Sequence, residues 1–167
     1  MANPHTCTVT ELKEVLTQAE ISAIPRVVLG IAPNAAGGAL TQAQEGQVDA
    51  WLEAKLTQAT DKVVSAVNAC AENPRIKLGA RKVPSALAYT ALVIARHAVI
   101  SAIPGMSQTL EGSSRAAEYN TAMNTLAKVA SCDLFVNDYA ETEDPDVTGG
   151  GGGVVLVGNK EAWAWEL

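Results

Sequence analysis

Apolar positions recur at helical spacing in three consecutive blocks of this chain. In LEAKLTQATDKVVSAVNAC the residues Leu52, Leu56, Ala59, Val63, Val67 and Cys70 form one apolar stripe along a rod, the pattern of an amphipathic helix that must be covered by something. A connection, AENPRIKLGARKVP, follows and carries Pro74, Gly79 and Pro84. The next block, SALAYTALVIARHAVISAI, has only Arg96 and His97 as strongly polar members and is apolar nearly all round. Such a helix belongs at the centre of a bundle or in a subunit interface, because a single wet face would leave too much apolar area in water. The third block, SSRAAEYNTAMNTLAKVASC, repeats the stripe with Tyr119, Met123, Leu126 and Ala130. Three such rods can bury one another.

The flanking pattern adds elements on either side. Thr8 and Glu11 have capping-box spacing and predict a first helix from Thr8, with Val9, Leu12, Leu16 and Ala19 on its buried side and an end by Pro25. Arg26 to Ile31 reads as a short strand and PNAAGG as an exposed turn. Thr41 with Gln44 predicts a second capped helix over about Gln42 to Ala71, loosened at Gly46 and ended by Pro74. Pro84 suits the first turn of the central helix, Pro104 with Gly105 closes it, and Ser113 or Ser114 caps the last, which runs to about Ser131. The expected fold is therefore all-α, a bundle of about four helices over residues 1–137. Residues 138–167 read as an acidic and glycine-rich linker with a flexible, partly extended C-terminal arm, since DYAETEDPDVTGGGGG cannot offset its own ordering entropy with buried apolar surface.

Composition narrows the class. A chain of 167 residues with 48% hydrophobic residues can fill one core, and 4% aromatics with abundant alanine predicts close, aliphatic helix packing. The net charge of −6 argues against a basic nucleic-acid face, but it suits a surface that DNA must pass without sticking. The start, MANPHTCTVTELKEV, shows no basic region followed by an apolar run, so synthesis and residence in a cytosol are expected. Cys7, Cys70 and Cys132 are odd in number, lack metal-ligand spacing and read as buried thiols. A membrane span over Ser85 to Ile103 would place Arg96 and His97 inside the bilayer, so a core helix is the better reading.

Catalytic signatures are scarce. The sequence has no G-x-S-x-G elbow, H-E-x-x-H or paired C-x-x-C, and neither an enzyme activity nor a cofactor is expected. Gly153 and Gly158 have the outer spacing of a phosphate loop, yet Asn159 stands where Lys must follow. His97 could shuttle protons, but beside Arg96 on an apolar helix it reads as a hydrogen-bonded core or interface residue. Glu141, Glu143, Asp144 and Asp146 lack calcium-loop spacing and read as solvated linker. At the arm's tip, Val154, Val155, Leu156, Val157, Trp163, Trp165 and Leu167 form an apolar group beyond the glycines, and extended AWAWEL sends both tryptophans to one side. They either complete the domain's own core or dock on another chain; the glycine tether favours the partner.

The runs AKLTQATDKVVSAV, VPSALAYTALVIARHAV and EYNTAMNTLAKVA together resemble the Mu-like phage family of small head-tail joining proteins. The family pattern is a helix of the type AL-x-x-A-x-x-x-I, a proline connection into P-x-x-L-x-x-x-A-x-x-I-A-x-Y, then Y-x-x-A-x-x-x-L-x-x-I-A. Ala59, Val63, Pro84, Leu87, Ala91, Ile94, Ala95, His97, Tyr119, Ala122, Leu126, Val129 and Ala130 carry it, over about Leu52 to Leu134. His97 stands where an aromatic is usual, the D-x-x-G turn is missing, and the tryptophan tip lies outside the pattern. The resemblance implies a virion protein made in the host bacterial cytoplasm: a head-tail adaptor at the phage neck, forming a ring, expected to be a dodecamer, on the portal protein. Tail or neck proteins would be further partners, with DNA passing unbound and no membrane contact. Alternatives are a neck or tail-completion subunit further from the portal, or a small helical DNA-packaging or regulatory protein using Lys55, Lys62, Arg75, Lys77, Arg81 and Lys82.

Overall fold

The computed structural model describes residues 4–30, 40–73, 75–106, 113–134 and 136. Five α-helices follow one another: α1 (Val9–Val15), α2 (Gln18–Leu29), α3 (Gln42–Ala69), α4 (Ala88–Ala102, entered through a 3-10 turn at Ser85–Leu87) and α5 (Ser114–Ala130). Two-residue strands, β1 (His5–Thr6) and β2 (Lys82–Val83), pair antiparallel with His5 opposite Val83 and Thr6 opposite Lys82. The fold is predominantly all-α, as the spacing predicts; the arm lies outside the described residues.

The spine is α3, whose 28 residues give a rod about 42 Å long. Its predicted stripe is buried as read: Leu52, Leu56, Ala59, Val63, Val67 and Cys70 are all enclosed, and α3 packs against each of the other four helices. The Thr41 capping box with Gln44 starts it. Gly46 sits inside the helix without breaking it. In α4, six consecutive residues from Ala91 to Arg96 are buried, more than a full turn, so its middle is covered on every side by α1, α3 and α5. The stretch Ser85–Ala102 has the length and composition to cross a membrane, but its middle is enclosed by these helices.

The N-terminal region departs from the expected single helix. The Thr8 capping box is present, but the helix ends at Val15, Leu16 is extended, and Thr17 with Glu20 forms another capping box that starts α2. Pro25 does not end α2: the helix passes through it to Leu29 and stops at Gly30, whose φ of 66° is the left-handed stop that glycine adopts freely. Arg26 to Leu29 are therefore helical rather than a strand. A proline removes one helix hydrogen bond; here Ile24 is buried, and Ile21, Val27, Val28 and Leu29 pack against the core on either side of Pro25. Ile31 and PNAAGG lie outside the described residues.

The connection after α3 is pinned to it by side chains that imitate backbone. Asn68 donates to the Ile76 carbonyl at 2.8 Å and accepts from the Ile76 N–H at 2.9 Å, and Asp61 accepts from the Gly79 N–H at 2.8 Å. The Cys7 N–H then donates to the Arg81 carbonyl at 3.1 Å, which extends the β1–β2 pairing. Cys70 and Cys132 are not thiols: they are joined as a disulfide across 62 positions, with Cα atoms 5.3 Å apart. Helix packing brings the C-terminal ends of α3 and α5 to one end of the bundle, which no spacing rule could reveal. Cys7 remains a free, buried thiol.

Candidate functional site

A shallow groove of about 270 Å³ runs between α4 and α5. Tyr89, Thr90 and Val93 form one wall, and Ala117, Glu118, Thr121, Ala122 and Thr125 form the other. The α5 wall exists because small residues recur at positions 117, 121 and 125, one helical turn apart. The Thr121 hydroxyl donates to the Ala117 carbonyl and the Thr125 hydroxyl to the Thr121 carbonyl, each at 2.9 Å. Both hydroxyls are thus satisfied within the helix, and the surface left to a ligand is largely apolar. Tyr89 stands 58% exposed at the rim, an unusually open position for an aromatic side chain.

Below the groove the two helices are joined by polar contacts. Arg96, only 8% exposed, ion-pairs with Glu118. One residue on, His97 stacks on Tyr119 with ring centroids 3.7 Å apart and 15° between planes. At the start of α5, Arg115 ion-pairs with buried Glu20, whose other oxygen accepts the Thr17 N–H at 2.7 Å. His97 is therefore an interhelical packing residue, as expected.

Its surroundings also weigh against a nucleophile and base. Ser101 Oγ lies 3.4 Å from His97 Nδ1, which puts a hydroxyl beside an imidazole. A working pair of that kind needs a group that stabilises the imidazolium. Burial, then the charges of Lys62 and Arg96, instead hold the His97 pKa below 6.5. Cys7 is no better placed: burial and Glu11 outweigh Arg81 and push its thiol up to about 11, so it stays protonated near neutrality. Among the described residues no group of three or more His, Cys, Asp or Glu side chains could hold a metal ion.

Three of the basic residues near the connection are engaged within their own chain. Arg81 pairs with Glu53 at 3.3 Å, Arg75 donates to the Asn68 carbonyl, and Lys55 sits 5.3 Å from the centre of the Trp51 ring. The predicted partner-binding residues Val154, Val155, Leu156, Val157, Trp163, Trp165 and Leu167 lie outside the described residues. Apolar periodicity alone does not mark the groove. The small-residue repeat at 117, 121 and 125, opposite Tyr89 and Val93, was its legible signal.

The described residues thus form a helical bundle with a largely apolar groove between α4 and α5. Residues 7–155 match the family model described as Bacteriophage Mu, Gp36. The chain therefore belongs to the bacteriophage Mu Gp36 family, a phage structural or morphogenesis protein made in the host cell. The match takes in every described residue from Cys7 onward, together with Val154 and Val155, and stops before Leu156, Val157, Trp163, Trp165 and Leu167. No curated protein and no solved structure matches the chain.

Proposed function

We propose that this protein is a head-tail adaptor, a non-enzymatic subunit that forms a ring on the portal of a tailed phage and binds no cofactor. The observation that carries the reading is the family match across residues 7–155, which takes in every helix of the bundle. The net charge of −6 supports a place beside a DNA conduit, where an acidic surface lets DNA pass. The engagement of Arg75, Arg81 and Lys55 by their own chain disfavours a DNA-binding regulator. Its partners in this reading are further copies of itself, the portal protein and tail or neck proteins, with no membrane contact. Mass spectrometry and a density map of purified particles test it: the protein should be found at the neck, and its absence from virions overturns the reading. Cross-links to neck proteins but not to portal subunits would move it one layer outward, to a tail-completion role.

Within that ring the α4–α5 groove receives the C-terminal segment of a neighbouring subunit. The groove is largely apolar, and residues 154–167 carry the apolar run VVLV and two tryptophans and follow five consecutive glycines. Replacing Trp163 and Trp165 together by Ala should weaken subunit association by roughly 2–4 kcal/mol, the range of central aromatic anchors, while the melting temperature of the isolated subunit holds. Unimpaired association with earlier melting would mean that the tryptophans complete their own subunit's core.

A further inference from the structure

The end of the bundle where the chain leaves for residues 137–167 is closed by one corner of interactions. Cys70 follows α3 and is fully buried, whereas Cys132, just past α5 with φ 62°, is partly exposed. Asn73, buried beside them, donates its own N–H to the Cys70 carbonyl at 3.2 Å, donates its side-chain amide to the Val67 carbonyl at 3.4 Å and accepts the Val136 N–H at 3.1 Å. The Asp133 and Leu134 N–H groups turn back to the Lys128 carbonyl at 2.9 and 3.1 Å. The disulfide thus fixes the point from which the C-terminal segment departs.

A phage protein is made in a host cytoplasm whose thiol pools keep cysteines reduced, so a disulfide at this corner needs a later oxidation. We propose that Cys132 is a redox modification site: it reacts with a low-molecular-weight disulfide such as glutathione disulfide once the particle has left the cell, and Cys70 then resolves the adduct into the Cys70–Cys132 bond. This rests on the reading that the chain is carried in the released particle. The step balances. The Cys132 thiolate attacks one sulfur of the oxidant and expels one glutathione thiolate; the Cys70 thiolate attacks Cys132 and expels the second. One disulfide is formed and one is broken, and the two cysteine protons end on the two glutathiones. The order follows from access, because a bimolecular attack favours the partly exposed Cys132 over the fully buried Cys70, and an intramolecular one does not need solvent access. Cys7 is fully buried and unpaired and serves as an internal control.

The bundle folds before the bond forms, since the stripes of α3, α4 and α5 bury one another without it. Closing a loop across 62 positions then restricts the unfolded chain and should raise the melting temperature by roughly 10–20 °C. In the purified full-length protein, the reduced form should show native helical circular dichroism. Glutathione disulfide should then remove two hydrogens from its mass, and a C70S variant should instead accumulate one glutathionyl group on Cys132. A reduced chain that does not fold, an unreactive Cys132, or an adduct on Cys70 or Cys7 overturns the proposal. In cells, acid quenching and alkylation during infection should label both Cys70 and Cys132 in denaturant, whereas particles purified after lysis should resist labelling until reduced. A bond already present in quenched cells, or free thiols in aged particles, also overturns it. Absence of the protein from particles would instead overturn the virion reading, while the purified-protein arm still decides the chemistry.

Discussion

Glu20 performs two tasks with one carboxylate, and removing it should cost more than an ordinary helix cap. One oxygen accepts the Thr17 N–H at 2.7 Å and completes the capping box of α2; the other pairs with Arg115 in the first turn of α5. The Glu20 side chain is 8% exposed and that of Arg115 26%, so the pair is largely desolvated but its cation still reaches water. Losing the capping contact costs about 0.5–2 kcal/mol. Breaking a fully buried pair costs about 3–5 kcal/mol, and rehydration of Arg115 keeps this one below that range. Glu20→Ala should therefore destabilise the protein by roughly 2–4 kcal/mol, or about 10 °C in melting temperature for a domain of this size. Glu20→Gln keeps an acceptor for Thr17 and should lose about half as much. The decisive measurement is a urea-unfolding cycle of Glu20→Ala, Arg115→Ala and the double variant. A coupling of about 1–2 kcal/mol is expected, because each single change strands the other partner. Costs that add to within about 0.5 kcal/mol would show that the two side chains act independently and that α5 is not tied to α2 by this pair.

Two further perturbations probe the spine and the stacked histidine. Gly46 lies inside α3, and a Cβ there meets no atom within 4 Å, so Gly46→Ala should stabilise the protein by about 0.5–1 kcal/mol in the same urea assay; a loss would mean that the position is needed bare. The depressed His97 pKa means that the unfolded chain binds more protons than the folded one between the folded pKa and 6.5. Stability should therefore fall as pH drops below about 6.5 and level off once His97 is protonated in both states. His97→Phe keeps the stack on Tyr119 and should flatten this stretch of the melting curve against pH; an unchanged slope would place its origin elsewhere.

Periodicity carried far in this chain because three long apolar stripes dominate it. The α3 stripe from Leu52 to Cys70 is buried at every position read, and the apolar character of α4 matches its enclosure from Ala91 to Arg96. In α5 the buried face is Ala122, Leu126 and Val129, with Tyr119 and Met123 only partly buried, so the predicted stripe was rotated by about one position. Spacing hides the break at Leu16, because Val9, Leu12, Leu16 and Ala19 keep helical phase across it although Ala19 is exposed, and in sequence Pro25 is a stronger stop signal than Gly30. Yet Thr17 and Glu20 have the same spacing as Thr8 and Glu11. Local chemistry was therefore sufficient there, and tertiary packing decided only that α2 tolerates the proline. The β1–β2 ladder is two residues long, too short for any alternation to show. The disulfide and the groove depend on how helices meet, and a single sequence carries that register only implicitly.

The way α5 is held bears on what it does. Its buried apolar contribution is only Ala122, Leu126 and Val129, small beside the eight buried positions of α3. At roughly 1.5–3 kcal/mol for each large side chain, that burial is a thin anchor for a 17-residue helix. Contacts of another kind compensate along its length: Arg115 to Glu20 at the start, Glu118 to Arg96 and Tyr119 to His97 along the middle, and Cys132 to Cys70 just beyond its end. Ion pairs and a disulfide fix position without demanding a broad apolar face. They leave Ala117, Thr121 and Thr125, on the flank of α5 beside Glu118 and Ala122, to line the groove against α4. Under the proposed ring assembly, a helix held by these clasps would keep the largely apolar groove in a fixed shape for a neighbour's segment. The perturbations separate these two duties: loss of Glu20 or Arg115 should loosen the helix within one subunit, whereas loss of Trp163 and Trp165 should leave the helix in place and loosen the contact between subunits.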